Sequence, residues 1–301
     1  MKIYNKDSEI PKKKSVVALG TFDGFHRAHR RLFKKAKGYA IAHGLAWGAL
    51  LFVQSPKEVL QHQKNELLTT TEEKLALLHR VDFVYLQEFD REFMELSCRE
   101  FVLFLKERLN AAAVCAGFNY RFGYKAQGDA ALLKELCAEQ GIEVIILERQ
   151  TDCGQQISST AVRDYIRVGR VDEAKRLLGR SFSITGKVVR GFQNGQKMGF
   201  PTANVEYEPH RMIPKRGVYA GITVVDGEQY LSVINVGTNP TFDGKQVTVE
   251  THILDFDRDI YDQTITVKFR TFLREDQKFS NIDQLTRQIQ RDVEAARKLQ
   301  H

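Results

Sequence analysis

Cysteine is scarce here, and the four present do not pair. Cys98, Cys115, Cys137 and Cys153 lie far apart and form no C-x-x-C. That spacing argues against a zinc site and a disulfide framework, and it fits a reducing cytosol. Each reads as a small buried hydrophobe. No run reaches the roughly 18 consecutive apolar residues of a membrane span. Residues 1–14 are charged and hold no apolar run, so no signal peptide is expected. A Walker A loop is missing, because G-x-x-x-x-G-K-S/T occurs nowhere. There is no internal repeat and no low-complexity linker.

What is present is ordinary in bulk. A hydrophobic content of 43% and a charged content of 28% place the chain among globular proteins. Its 301 residues suggest two domains. The net charge of +7 would suit nucleic acid, anionic lipid or phosphorylated small molecules. Lys and Arg are spread out, with one denser run at 27–37, and no RNA-recognition or helix-turn-helix signature lies beside it. Small phosphorylated ligands explain the charge at least as well. A cytoplasmic protein with no nucleic-acid or membrane partner is expected, its oligomeric state open.

Two periodicities divide the chain. Short apolar runs at 15–20, 47–53, 83–89, 112–118 and 142–148 have strand length and are mostly apolar on both faces. Thr70-x-x-Glu73 and Ser97-x-x-Glu100 are capping boxes between them. This alternation predicts a doubly wound α/β domain, with its ligand crevice at the carboxyl ends of the strands. A helical stretch follows at 159–178, and Gly179 suits its C′ position. Six strands with period-two alternation come next, at 183–190, 202–207, 218–225, 230–236, 247–256 and 264–274. Asp226-Gly227 and Asp243-Gly244 are turn signals among them. A small antiparallel barrel is expected, followed by a helix opened by Ser280-x-x-Asp283. The domains are then 1–180 and 181–301.

The first apolar run ends in Gly20-Thr21-Phe22-Asp23-Gly24-Phe25-His26-Arg27-Ala28-His29. His26 and His29 are three apart and share a helix face at a helix start. There they suit donation to phosphate oxygens as charge grows during phosphoryl transfer. The spacing alone equally fits a solvated basic helix. In the second half, Gly191 and Gly195 precede Gly199-Phe200-Pro201-Thr202-Ala203-Asn204. Thr202 and Asn204 point the same way on an extended segment, and a hydroxyl beside an amide oxygen suits Mg²⁺. On the strand at 247–256, Val247, Val249, Thr251 and Ile253 share one face. Glu250 lies with Thr248 and His252 on the other, where it fits either a proton acceptor for an alcohol or a plain surface carboxylate.

Residues 20–29 resemble the H-x-G-H signature of the nucleotidyltransferase superfamily. In the longer frame they resemble the start of bacterial bifunctional riboflavin kinase/FMN adenylyltransferases. Gly117-Phe118-Asn119-Tyr120-Arg121-Phe122-Gly123 resembles that family's flavin- or nucleotide-binding loop. Ile157-Ser158-Ser159-Thr160 with Arg163 resembles its I-S-S-T-x-x-R nucleotide motif, although Ser159 and Thr160 also fit plain capping. Thr202 to Asn204, residues 214–219, 235–242 and 247–256, and Phe272-Leu273-Arg274 resemble the riboflavin kinase barrel.

The resemblance implies a Rossmann-like nucleotidyltransferase domain before a six-stranded antiparallel riboflavin kinase barrel with a C-terminal helix. It implies phosphorylation of riboflavin to FMN, then adenylylation of FMN to FAD, with ATP as co-substrate and Mg²⁺. It makes Glu250 the kinase base and gives His26 and His29 to adenylyl transfer. Thr202 and Asn204 would hold Mg-ATP, with Gly195 and Lys197 in the phosphate loop. Asn119, Arg121, Ser159, Thr160 and Arg163 would bind flavin or nucleotide, and Asn235 and Arg274 would lie near the flavin. Two positions depart from the family. Ala28 stands where the family has Gly, and Gln54-Ser55-Pro56 where many members have Pro-His-Pro. Ala28 favours a second reading, a riboflavin kinase whose first domain only binds nucleotide. A third, a flavin-sensing or nucleic-acid-binding regulator, is supported by the charge alone.

Overall fold

A computed structural model describes residues 1–53, 66–191, 195, 199–241 and 244–299, with backbone alone for 239–241 and 244–246. Packing divides the chain into two compact units, residues 1–65 with 69–158, and residues 66–68 with 159–301.

The first unit is a parallel sheet. Its strands are β1 (Lys2–Tyr4), β2 (Ser15–Leu19), β3 (Ala46–Phe52), β4 (Phe83–Gln87), β5 (Ala111–Gly117) and β6 (Glu143–Leu147). They stand in the order β1-β4-β3-β2-β5-β6. The crossovers are α1 (Arg27–Ala42), α2 (Thr71–Leu77), α3 (Arg91–Glu95), α4 (Cys98–Leu109) and α5 (Ala130–Glu139). Strand β2 explains the unbroken apolar runs. Val17 and Leu19 face a core with Phe101, Leu105 and Leu133, while Val16 and Ala18 face another with Leu32, Phe33 and Ala36. A strand buried on both sides cannot alternate. Both capping boxes form, Thr70 with Glu73 and Ser97 with Glu100. Strand β1 lies outside the apolar runs, because two of its three residues are exposed and its place depends on pairing with β4.

Cys115 and Cys137 are buried, and burial pushes both thiols up to about 12. Cys153 corrects the sequence expectation. It is exposed at the turn of a hairpin, β7 (Thr151–Asp152) with β8 (Gln155–Gln156).

In the second unit the helical stretch is two helices, α6 (Ser159–Arg167) and α7 (Val171–Leu178). They part at Gly169, whose φ of +82° ends the first. Six strands follow: β9 (Phe182–Val189), β10 (Ala203–Tyr207), β11 (Gly217–Val225), β12 (Glu228–Thr241), β13 (Gly244–Ile253) and β14 (Thr264–Arg274). They close as β10-β13-β12-β11-β14-β9. Ile184, Val205, Ile234, Val249, Val267 and Phe269 are buried residues of the alternating core. The turn at Asp226-Gly227 has positive φ at both residues, as a two-residue hairpin needs. Asp243 lies outside the described residues. Helix α8 (Ile282–Lys298) lays Ala296 on Val218, Ala220 and Val233, on the outside of β11 and β12. Its cap is Asn281, not Ser280. Asn281 Oδ1 accepts the Gln284 N–H at 2.9 Å, while Ser280 Oγ meets the Gln284 side chain.

Candidate active sites

In the first unit, successive connections leave β2 in one direction across the sheet and reach β5 on the other side. Open α/β sheets bind ligands at such a reversal, beyond the strand carboxyl ends. The segments after β2 and β5 are the two motif segments, 20–29 and 117–123. Phe22, Gly24 and Phe25 all take positive φ, at 49°, 75° and 40°. Two phenylalanines in that region store strain that the surroundings must hold. Buried Thr69 does so. Its N–H donates to Asp23 Oδ1 at 3.0 Å, its hydroxyl lies 3.2 Å from the same oxygen, and the Gly24 N–H donates to Thr69 Oγ1 at 2.9 Å.

The strained turn delivers His26 to the N-cap of α1. His26 Nδ1 accepts the His29 backbone N–H at 3.4 Å, so in the neutral ring the proton sits on Nε2. The two rings stack, with centroids 3.6 Å apart and planes 14° apart. His29 Nδ1 is buried with no hydrogen-bond partner among the described residues. Burial, and then His26 and Lys74, hold His29 well below the ordinary imidazole range. His29 is therefore a neutral group at neutral pH.

Arg27 is tied to Asp152 at 2.7 Å. Asn119 is exposed in the turn after β5, and Arg121 is also exposed. Residues 54–56, with the Gln54-Ser55-Pro56 departure, lie outside the described residues. Ser159, Thr160 and Arg163 belong to the second unit, at the start of α6, where Arg163 Nε donates to the Glu66 carbonyl at 2.8 Å.

In the second unit the barrel register aligns four of the expected residues. Asn204 pairs with Glu250, Glu250 with Asn235, Asn235 with Val218, and Val218 with Arg274. The row runs across β10, β13, β12, β11 and β14. Asn204, Glu250 and Asn235 alternate with barrel-core neighbours, for example Glu250 between Val249 and Thr251, and the row meets Arg274 where the β11–β14 register shifts. The row is therefore on the outer wall. The Asn204, Glu250 and Asn235 side chains make no hydrogen bond among the described residues, and burial raises the Glu250 carboxyl above the ordinary carboxylate range. Half-buried polar groups left unpaired in a row suit a ligand.

Arg274, by contrast, is engaged. Its Nε and Nη2 bind the buried Asp292 carboxylate of α8 at 2.8–3.1 Å.

Thr202 precedes β10 and lines an open cleft of about 440 Å³ with Val188, Ala203, Ile253 and the loop at 256–261. Asn204 and Glu250 do not line this cleft. They stand beside it, Asn204 two residues after Thr202. Arg258 braces the far wall, donating to Tyr230 Oη at 2.8 Å and lying 5.0 Å from the Phe256 ring centroid. Gly191 comes close to Asn204, and Gly195 to the chain just before Thr202. A Cβ on Gly191 would sit 2.2 Å from Asn204 Nδ2, and one on Gly195 would sit 2.4 Å from the Phe200 carbonyl. Lys197 lies outside the described residues. The sequence left two contributors unassigned. Thr69 sits in no motif, and His252 stands on the Glu250 face and meets the Pro201 carbonyl at 2.8 Å.

Comparison with known proteins identifies the family of each half. The riboflavin kinase family model matches residues 178–300, and the FAD synthetase model matches residues 8–161. A bifunctional riboflavin kinase/FMN adenylyltransferase of Listeria monocytogenes is 37% identical over 287 residues, 94% of this chain and 91% of the relative. One from Escherichia coli K12 is 36% identical over 295 residues, 96% of this chain and 94% of its own length. The crystal structure of a Streptococcus pneumoniae protein named as a macrolide-efflux protein is 34% identical. It superposes with a TM-score of 0.91 over 99% of both chains. Among the described residues no helix is long and apolar enough to cross a membrane. Two family models in sequence order, and relatives matched over nearly their whole length, place this chain in the bifunctional riboflavin kinase/FMN adenylyltransferase family.

Proposed function

We propose that the barrel transfers the γ-phosphoryl group of ATP to the 5′-hydroxyl of riboflavin's ribityl chain, and that the α/β domain adenylylates the FMN so formed. Adenylyl transfer is assigned to residues 1–180 and kinase chemistry to 181–301, in a cytoplasmic enzyme whose ligands are small molecules. The observation that carries the reading is the unpaired row of Asn204, Glu250 and Asn235 beside the Thr202 cleft.

In the kinase step the ribityl oxygen bonds to the γ-phosphorus as the bond to the β-phosphate oxygen breaks. ADP leaves, and the ribityl proton passes to the Glu250 carboxylate. Glu250 suits this role because burial makes it a better base than an exposed carboxylate. The cleft beside Thr202 has room for the nucleoside. Among the described residues no cluster of His, Cys, Asp or Glu could hold a metal. The Thr202 hydroxyl and the Asn204 amide oxygen are hard neutral donors, the set that suits Mg²⁺ already carried by a triphosphate. When bound, that ion supplies charge neutralisation for the phosphates. Most of the rate enhancement then comes from positioning. Arg274, held by Asp292, fixes α8 against the barrel and orients the wall near the flavin.

In the adenylyl step an FMN phosphate oxygen attacks the α-phosphorus and pyrophosphate leaves. His26 and His29 donate N–H groups to oxygens where charge develops. Asn119 and Arg121 are assigned to flavin or nucleotide binding, and Ser159, Thr160 and Arg163 to the nucleotide. Ala28 occupies the first turn of α1.

The test is direct. Purified protein is given riboflavin, ATP and Mg²⁺, and flavins are separated over time. FMN should rise first and FAD follow, with pyrophosphate released in step. FMN without FAD would leave only the kinase; no product at all would overturn both assignments.

A further inference from the structure

We infer that His252 is a positioning residue of the kinase, latching the segment that carries Thr202. This inference rests on the proposed kinase site. His252 is in β13, two residues after Glu250 and on the same outer face. Its Nδ1 lies 2.8 Å from the Pro201 carbonyl oxygen, and its ring meets the Phe200 ring edge to face at 5.5 Å.

A carbonyl oxygen can only accept, so the imidazole must carry its hydrogen on Nδ1. Neutral and protonated rings both meet this condition, provided the neutral ring takes that tautomer. The Pro201 carbonyl belongs to the same rigid peptide plane as the Thr202 N–H, and in a trans peptide the two point in opposite directions. Holding that oxygen therefore fixes the plane from which Thr202 N–H and the Thr202 side chain depart. The segment needs such a hold. It follows a glycine-containing stretch, Gly199 takes φ +78°, and Pro201 has no N–H of its own to bond. β10 begins only at Ala203. The Phe200 N–H donates to the Gly195 carbonyl at 2.9 Å, so the same short segment is tied to the glycine stretch on one side and to β13 on the other.

Three substitutions separate the hydrogen bond from ring packing. His252→Asn keeps a donor two bonds from Cβ, where Nδ1 stands, but loses the ring. His252→Phe keeps the ring and loses the donor. His252→Ala loses both. Each full-length variant is assayed for kcat, KM for Mg-ATP and riboflavin affinity, and FMN adenylylation by the same preparation reports that the chain is folded. The latch requires KM for Mg-ATP to rise roughly tenfold in the Ala and Phe variants, with riboflavin affinity held within about twofold and most of the loss restored in Asn. A Phe variant matching the parent, or an Ala variant within about twofold of it, overturns the latch. Thr202→Val is run in parallel. If it impairs the kinase while His252→Ala does not, the latch fails and the site stands. If neither matters, the kinase site itself falls.

Discussion

Asn204 stands directly opposite Glu250 on the paired strands β10 and β13, with Asn235 opposite Glu250 on its other side. The carboxylate is thus flanked by two amides at fixed rungs. Glu250→Gln keeps size and hydrogen bonding but cannot take a proton. Riboflavin kinase turnover should fall by about a hundredfold or more, with flavin affinity changed far less. Steady-state rates and flavin fluorescence titration measure the two. Turnover close to the parent would remove Glu250 as the base.

The same carboxyl has a pH signature. Its folded pKa is raised by burial, and the base must be ionised. The acid limb of kinase turnover should therefore sit above the ordinary carboxylate range of about 4.3. Stability has the opposite sign. A raised acid binds its proton more tightly in the folded state, so its contribution falls as pH rises from the unfolded value through the folded one. Glu250→Gln should then be more stable than the parent at neutral pH, with the difference vanishing below the unfolded value. Denaturant titrations at several pH values test this.

His29 should remain neutral at pH values where exposed histidines are already charged, as NMR titration of its ring would reveal. Its folded pKa is lowered, so the stability it lends is present above about pH 6.5 and is lost as pH falls through the folded value. His29→Asn keeps an N–H donor and should retain more FMN adenylylation than His29→Leu, the expected gap being about tenfold or more.

Gly191→Ala should impair the kinase and spare adenylylation. The added carbon would stand 2.2 Å from Asn204 Nδ2, so the amide must move. Equal loss of both activities would mean the substitution acts on folding instead.

Asp292 is 4% exposed and binds Arg274 through both oxygens. Asp292→Ala leaves a half-enclosed guanidinium without its counter-charge and should cost about 3 kcal/mol. Urea unfolding of the variant checks the value, and a loss below about 0.5 kcal/mol would place the pair among surface bridges of little effect.

The fold was legible where burial is uniform or strictly alternating. Val16 to Leu19 had to be a strand covered on both faces, and Val249, Thr251 and Ile253 had to face a barrel core. Capping at Thr70 and Ser97 was readable because both partners lie within four residues. Strand β1 was not, because Lys2–Tyr4 is short, mostly exposed and held by a partner some 80 positions away. The site was legible as motifs but not as geometry. Parity put Glu250 and His252 on one face, but only register puts Asn204 and Asn235 on either side of Glu250. Thr69 gave no signal, since its hydroxyl acts on a turn 45 residues earlier. Arg274 was expected near flavin, and nothing local announced Asp292.

The row on the barrel wall acts as a ruler. Neighbouring strands in any sheet lie about 4.8 Å apart, a distance set by backbone hydrogen bonds and indifferent to side chains. The separations among the two amides and the acid are therefore quantised by the barrel itself. Loops of other lengths can be grafted at its rim, yet they leave the interval between the Glu250 acid and the Asn204 amide untouched.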